Sequence, residues 1–375
     1  MIKSPALIHA IELIRRPSVT PVDGDCQDYM ESELARLGFN RKRVDAGVVT
    51  NSIYERVGEK TGLLAFAGHT DVVPTGPLEE WDVPPFEARV TDNVLHGRGA
   101  QDMKSAIACF LAAVESLIEA KTPLPCLQLL ITSDEEGESV DGTIRLVEYL
   151  QEKNHLPDAV LVGEPSSLTQ VGDTVRRGRR GIVLIEISFP GTQGHSAYAD
   201  EADNAIHHAA PALSGIASID WGDPAADFPP TSCQITNIEG GTGATNVIPG
   251  MCRAIVDIRY NPANDFEDIQ RRISEVCSGT SVRLKYQHQG TVFYTEDGPW
   301  LDLVAGSIKR ITGIETIQGT AGGTSDGRFL AAAGVPVVEL GLTNDTIHQI
   351  NERVNIHELE TLSSIYADII QRFGE

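Results

Sequence analysis

In the first 165 residues, short continuous apolar runs alternate with stretches in which apolar residues recur every three or four positions. Three runs predict strands covered on both faces: Leu63 to Gly68, ending at His69, then Leu127 to Thr132, then Ala159 to Val162. Between them, helical spacing runs from Asp102 through Ala120 and from Thr143 to Lys153. Strand–helix alternation of this kind predicts an α/β fold with a mostly parallel sheet. The N-terminal segment, whose apolar stretches are broken by His9, Glu12, Arg15 and Arg16, reads as the first helix.

After Arg180 the pattern changes. Gly181 to Phe189, Ser232 to Ile238, Cys252 to Tyr260 and Val282 to Tyr286 read as strands, with helices at Asn204 to Leu213 and Phe266 to Val276. This α+β pattern predicts a smaller domain with an antiparallel sheet, inserted at 181–293. A helix around Trp300 to Ile311, a strand at Val337 to Leu340 and a last helix from His357 to Phe373 return to the first domain, which is therefore expected to comprise 1–180 and 294–375. A chain of 375 residues is long enough for two cores.

Composition narrows the partners. Hydrophobic residues make up 41%, without low-complexity tracts, as in a folded chain. Acids outnumber bases 53 to 30, and a net charge of −23 repels phosphate backbones and anionic lipid, so neither nucleic acid nor membrane is an expected partner. The longest apolar segment is interrupted by Glu115, and no export signal is apparent at the N-terminus. The six cysteines form no CxxC pair and several sit inside apolar runs, which predicts reduced thiols and a cytoplasmic location. GGTGAT (240–245) lacks dinucleotide-binding spacing, and Ser325-Asp326 forms no nucleophile elbow.

The chemistry gathers where the strands end, which in open α/β sheets is where ligands bind. The first strand runs into His69-Thr70-Asp71, a spacing that suits a ligand imidazole and a carboxylate that orients it. The second ends in Asp134-Glu135-Glu136, whose adjacent side chains point apart, favouring one ligand and one general base. The third ends at Glu164-Pro165. Asp102 precedes a helix and reads equally well as its N-cap, and His348 lies in a polar loop beyond the Val337 to Leu340 strand. Each signal alone fits an ordinary turn. Two histidines and three carboxylates assigned to one sheet edge match the ligand set of a two-metal hydrolytic site.

The segments GHTDVVP (68–74), GRGAQDMK (97–104), SDEEG (133–137), GEPSS (163–167) and TIHQINE (346–352) carry a resemblance. The whole chain resembles the metal-dependent aminoacylase and carboxypeptidase family M20, zinc hydrolases with a zinc-peptidase-like catalytic domain and an inserted α+β dimerisation domain. RRGRRG (176–181), FPPTSCQITNI (228–238), GTGATNVIPG (241–250) and GGTSDGRF (322–329) narrow it to a branch whose small amide substrate carries carboxylates at both ends. Relatives acting on other acyl amino acids or small peptides are the alternative.

The resemblance implies two Zn2+ per subunit, with Co2+ able to substitute. His69 and Glu164 would hold one ion, Glu136 and His348 the other, and Asp102 would bridge them. Glu135 would be the general base and Asp71 would orient His69. His195 would be donated across a homodimer interface to the partner's active site. Arg179, Arg259, Asn246, Tyr198, Gly323 and Thr324 would contact substrate. Guanidinium forks suit carboxylates, although two of the four arginines in 176–180 are expected to serve structure instead. The resemblance also implies a cis peptide between Asp102 and Met103. Gln101, the segment 137–141 and Ser166 depart from the family's commoner residues, and Glu138 adds a negative charge near the site.

Overall fold

The structure, a computed structural model, describes residues 4–222, 224–225 and 227–375. The chain forms two compact units, one of Met1–Gly178, Tyr294–Gly319 and Ser325–Glu375, the other of Arg179–Phe293 and Thr320–Thr324.

An eight-stranded sheet organises the first unit, in the order Asn40–Arg43, Ser52–Arg56, Cys126–Thr132, Leu63–His69, Ala159–Val162, Val337–Glu339, Thr174–Arg176 and Ile317–Gly319. The four strands from Cys126–Thr132 to Val337–Glu339 run parallel, and they coincide with the four apolar runs read from the sequence. Two further strands lie at each edge, and the sequence pattern did not show them. Asn40–Arg43 is entirely polar, as edge strands often are, and the others are only three to five residues long. The helix Cys26–Arg36 was also missed. Against the sheet packs Lys104–Glu119, buried over most of its circumference between Pro5–Ile14 and Ile356–Arg372. Phe66 stacks on Phe110 at 4.4 Å, with Tyr366 edge-on to Phe66 at 5.8 Å, so strand and helices share one aromatic contact.

Register sets the site. His69 pairs with Thr132, and Ala67 pairs with Val162, so the chain two residues beyond Val162 puts Glu164 level with His69. Three strand ends therefore open at one height on one edge.

In the second unit, Ser232–Gly240, Met251–Tyr260, Gly181–Pro190 and Arg283–Gly290 form an antiparallel sheet in that order. Strict alternation along Met251–Tyr260 turns Cys252, Ala254, Val256 and Ile258 inward, toward a core shared with the helices Ala205–Ala217 and Phe266–Val276. The first of these helices continues through Pro211 to Ala217, beyond its expected end. Thr320–Thr324, expected with the first domain, groups here because the Arg179 guanidinium donates to the Ala321 carbonyl (3.0 Å) and the Thr320 hydroxyl to the Asp227 carbonyl.

Candidate metal centre and active site

His69 ends its strand fully buried. Its Nδ1 lies 2.9 Å from the backbone carbonyl of Asp71 and 3.6 Å from the carboxylate, so the orienting contact expected from the side chain comes chiefly from the main chain. An N–H at Nδ1 leaves the Nε2 lone pair facing Asp102 Oδ1 at 3.2 Å and Glu164 Oε1 at 3.5 Å. The Asp71 carboxylate instead accepts the amide N–H groups of Glu135 (3.3 Å) and Glu136 (3.1 Å), and so fixes the turn that carries both acids.

Asp102 is not an N-cap. The following helix begins at Lys104 and is capped at Met103 without a side-chain bond, and the Asp102–Met103 peptide is cis. Freed from that role, the carboxylate presents Oδ1 to His69 Nε2 and Oδ2 to His348 Nε2, the latter at 3.4 Å. Met103 wedges beneath the strand ends. A Cβ on Gly68 or on Gly163 would lie 2.5 Å from its Cε, so glycine at both positions makes room for the turn that aims Asp102.

Glu135 and Glu136 diverge as their spacing predicted. Glu136 Oε1 meets His348 Nε2 at 3.1 Å, and ligand atoms of His69, Asp102 and Glu136 lie within 4.8 Å of one another. Glu135 turns to the other side, where it forms a similar group with His69 and Glu164. Geometry alone therefore gives Glu135 a place among the groups that could hold a cation, beside His69 and Glu164.

The electrostatics fit cations. Four carboxylates, those of Asp102, Glu135, Glu136 and Glu164, converge on two imidazoles. Burial, reinforced by Glu164, pushes Glu135 well above the usual carboxylate range, and burial with the nearby Asp102 raises Glu164 to about 7. Against the effect of burial, the two histidines pull Asp102 down. His348, bonded to Asp102 and Glu136, rises to about 10, and bonds to Asp102 and Glu164 raise His69 despite its burial. Such packing of acids is relieved by divalent cations, and a mixed nitrogen and oxygen donor set with one carboxylate facing both histidines suits a pair of them.

Three neighbours escaped the sequence reading. Arg98 and Glu352 form a fully buried ion pair (2.8 Å) within the GRGAQDMK and TIHQINE segments, which had been read only for Asp102 and His348. Asp326 is 5% exposed, and its oxygens have no hydrogen-bond partner among the described residues. It contributes to the electrostatic environment of both Glu135 and His69, and only its burial in the fold distinguishes it from an ordinary loop acid.

The remaining candidates lie in the second unit. His195, Tyr198 and Asn246 gather there on an exposed surface: Asn246 Nδ2 is 3.4 Å from His195 Nε2, and the His195 and Tyr198 rings are 5.6 Å apart. Arg179 is buried, its guanidinium on the Ala321 carbonyl, and Gly323 and Thr324 belong to the same unit. Arg259 makes a two-pronged bond to Asp257 (2.8 and 2.9 Å). Arg177 is structural, held by Thr295 O, Asp297 and Gln318 in the first unit and stacked on Tyr294.

The chain belongs to peptidase family M20/M25/M40, whose family model matches residues 65–372. It is 46% identical over 372 residues to the succinyl-diaminopimelate desuccinylase of Hahella chejuensis, covering 98% of this chain and 97% of that one. The succinyl-diaminopimelate desuccinylase of Halorhodospira halophila is likewise 46% identical, over 98% of both chains. Among solved structures, an M20 family metallo-carboxypeptidase from Sulfolobus solfataricus shares the fold, with a TM-score of 0.82 at 18% identity over 98% of both chains.

Proposed function

We propose that the protein hydrolyses N-succinyl-LL-2,6-diaminopimelate to succinate and LL-2,6-diaminopimelate, a step of diaminopimelate and lysine biosynthesis. The observation that carries the hydrolytic reading is Asp102, whose two oxygens face two histidines at the edge where three parallel strands end. The substrate follows the two relatives named succinyl-diaminopimelate desuccinylase, which the chain covers over 97% and 98% of their length. His69 with Glu164, and His348 with Glu136, would hold two zinc ions bridged by Asp102, with cobalt an acceptable substitute. Such ions polarise an amide carbonyl and lower the pKa of water to roughly 7.

Glu135 takes a proton from the attacking water and delivers it to the amide nitrogen as the C–N bond breaks, so that a neutral amine departs. Its raised pKa supports both halves of that exchange. Asp71 keeps the base in place through the two amide N–H groups of the turn.

A homodimer completes the proposal, with His195 donated to the partner's active site to steady the oxyanion, and Asn246 and Tyr198 accompanying it. Their exposure supports this role, as does the Ser232–Gly240 edge strand, which carries an exposed Ile238. Arg179 and Arg259 grip the substrate carboxylates, with Gly323 and Thr324 adding polar contacts. No described helix is long and apolar enough to cross a membrane, and the six cysteines are free, which supports a reducing cytoplasm.

The deciding experiment measures amine release from succinyl-diaminopimelate, acetylornithine and a dipeptide, with zinc and after chelation. Preference for the succinyl substrate, lost on chelation and restored by zinc or cobalt, is expected. Preference for either other substrate would instead make the protein an acetylornithine deacetylase or a small-peptide carboxypeptidase.

A further inference from the structure

His69 and His348 reach Asp102 from unequal footings. His69 is 1% exposed at the end of a central strand, so the sheet fixes it. His348 is half exposed, sits in a loop and has a left-handed backbone (φ 59°), a conformation that a residue with a Cβ keeps only where its surroundings enforce it. Neither the sheet nor burial sets the second imidazole.

The enforcement comes from the residue preceding the bridging carboxylate. Gln101 is 1% exposed, and its side-chain amide is spent on the His348 loop. Nε2 donates to Thr343 Oγ1 (3.0 Å) and Asp345 Oδ1 (2.5 Å), while Oε1 accepts from Thr346 N (2.8 Å) and Thr346 Oγ1 (2.6 Å). On the far side of His348, the buried Glu352 carboxylate closes the bracket. Its Oε1 accepts from the Gln101 and Asp102 amides (2.8 and 3.2 Å), and its Oε2 from the Gly99 amide (3.0 Å) and Arg98 (2.8 Å). Arg98 also donates to the Gln349 carbonyl (3.1 Å) and to the Pro74 carbonyl (3.3 Å), the latter in the segment that follows His69.

We propose that Gln101, with the Arg98–Glu352 pair beneath it, is a positioning latch that holds the His348 loop against the Asp102 turn and thereby sets the affinity of the second cation position. The latch rests on the two-cation reading of the site. Its physical basis is preorganisation: the groups supporting metal ligands govern affinity by fixing them before the ion arrives. Three of the four side-chain bonds of Gln101 go to Asp345 and Thr346, so losing them is expected to loosen the His348 loop more than His69 and Glu164 and to penalise one cation more than the other.

The test titrates zinc into the chelated full-length protein against a chromophoric chelator, for the wild type, Gln101→Ala, Thr346→Val and Thr346→Ser. The wild type is expected to bind two equivalents, and fewer would remove the two-cation reading and the latch with it. Q101A is expected to keep one equivalent at wild-type affinity and to bind the other about 10- to 100-fold more weakly. T346V, which loses the hydroxyl, moves the same way, while T346S retains it and stays near the wild type. Should Q101A prove unstable, the T346V and T346S pair carries the comparison. Two wild-type affinities in Q101A or T346V would overturn the latch, as would equal weakening of both sites with a falling Tm, the mark of a merely structural role.

Discussion

Asp71 holds His69 through its main chain, with the carbonyl 2.9 Å from Nδ1, and leaves its carboxylate for the amides of Glu135 and Glu136. One residue thus sets the tautomer of a proposed metal ligand and the attitude of the proposed base. Asp71→Asn preserves the carbonyl contact but turns a side-chain NH2 group toward a backbone N–H. It is expected to reduce kcat about 10- to 100-fold, with a smaller loss of zinc affinity. Parallel kinetics and zinc titration measure the split, and equal losses in both would return the orienting role to the carboxylate.

Glu135→Gln retains an oxygen near the cation position and removes the proton acceptor. Both metal equivalents are expected to remain while kcat falls about 10^2- to 10^4-fold, the range for a lost general base. Metal analysis beside single-turnover kinetics checks this, and a fast variant would take Glu135 out of proton transfer.

Protons compete with cations at this centre. Without metal, bonds to Asp102 and Glu136 raise His348 to about 10 from an ordinary 6.5, so near pH 7 it is protonated and a cation must displace that proton. Zinc affinity is expected to rise with pH below 10, with proton release visible as a dependence of binding heat on buffer ionisation enthalpy. Because the folded pKa is the higher one, the stabilisation from His348 is fully present below 6.5 and is lost as pH rises through about 10. Burial and Asp102 raise Glu164 from 4.5 to about 7, which adds a loss between those values. The Tm difference between the chelated wild type and a chelated His348→Ala variant should therefore decline from pH 6.5 to 10; a difference that climbs over this interval would contradict the pairing.

Gly163→Ala places a methyl 2.5 Å from Met103 Cε and 2.6 Å from Phe66 Cζ. The phenyl ring is stacked on Phe110 and has no room to yield, whereas methionine is pliant. A loss of about 1–3 kcal/mol is expected in urea denaturation. Met103→Ala should cost less in the Gly163→Ala chain than in the wild type, a coupling that a clash with Phe66 alone would not give.

Arg259 is oriented by its two bonds to Asp257 within one strand. If that orientation presents it to a substrate carboxylate, Asp257→Asn is expected to raise KM severalfold with kcat little changed, and Arg259→Ala to raise it further. Initial-rate kinetics on the succinyl substrate check this, and an unchanged KM in both variants would take Arg259 out of substrate binding.

The central parallel strands were legible because a strand buried on both faces must be continuously apolar, and the acids after Thr132 and Val162 stand out against such runs. The edge strands were not, because Asn40–Arg43 has no buried face to leave a pattern. His348 was legible only through the joint pattern of strand-end residues, which the resemblance then reinforced, since nothing local separates a loop histidine that binds metal from one that does not.

By itself, then, the sequence determined the α/β class, the inserted α+β segment and most of the candidate ligands, because periodicity and strand-end residues are local properties of the chain. Tertiary structure alone decided that Asp102 faces two histidines instead of capping a helix, that Asp71 binds His69 by its carbonyl, and that Arg98, Gln101 and Glu352 tie together segments some 250 residues apart. The physical reason is that a hydrogen-bonding group has several partners available to it locally. Which one it takes depends on the register that brings distant backbone groups within 3 Å, and on the burial that makes leaving them unpaired costly.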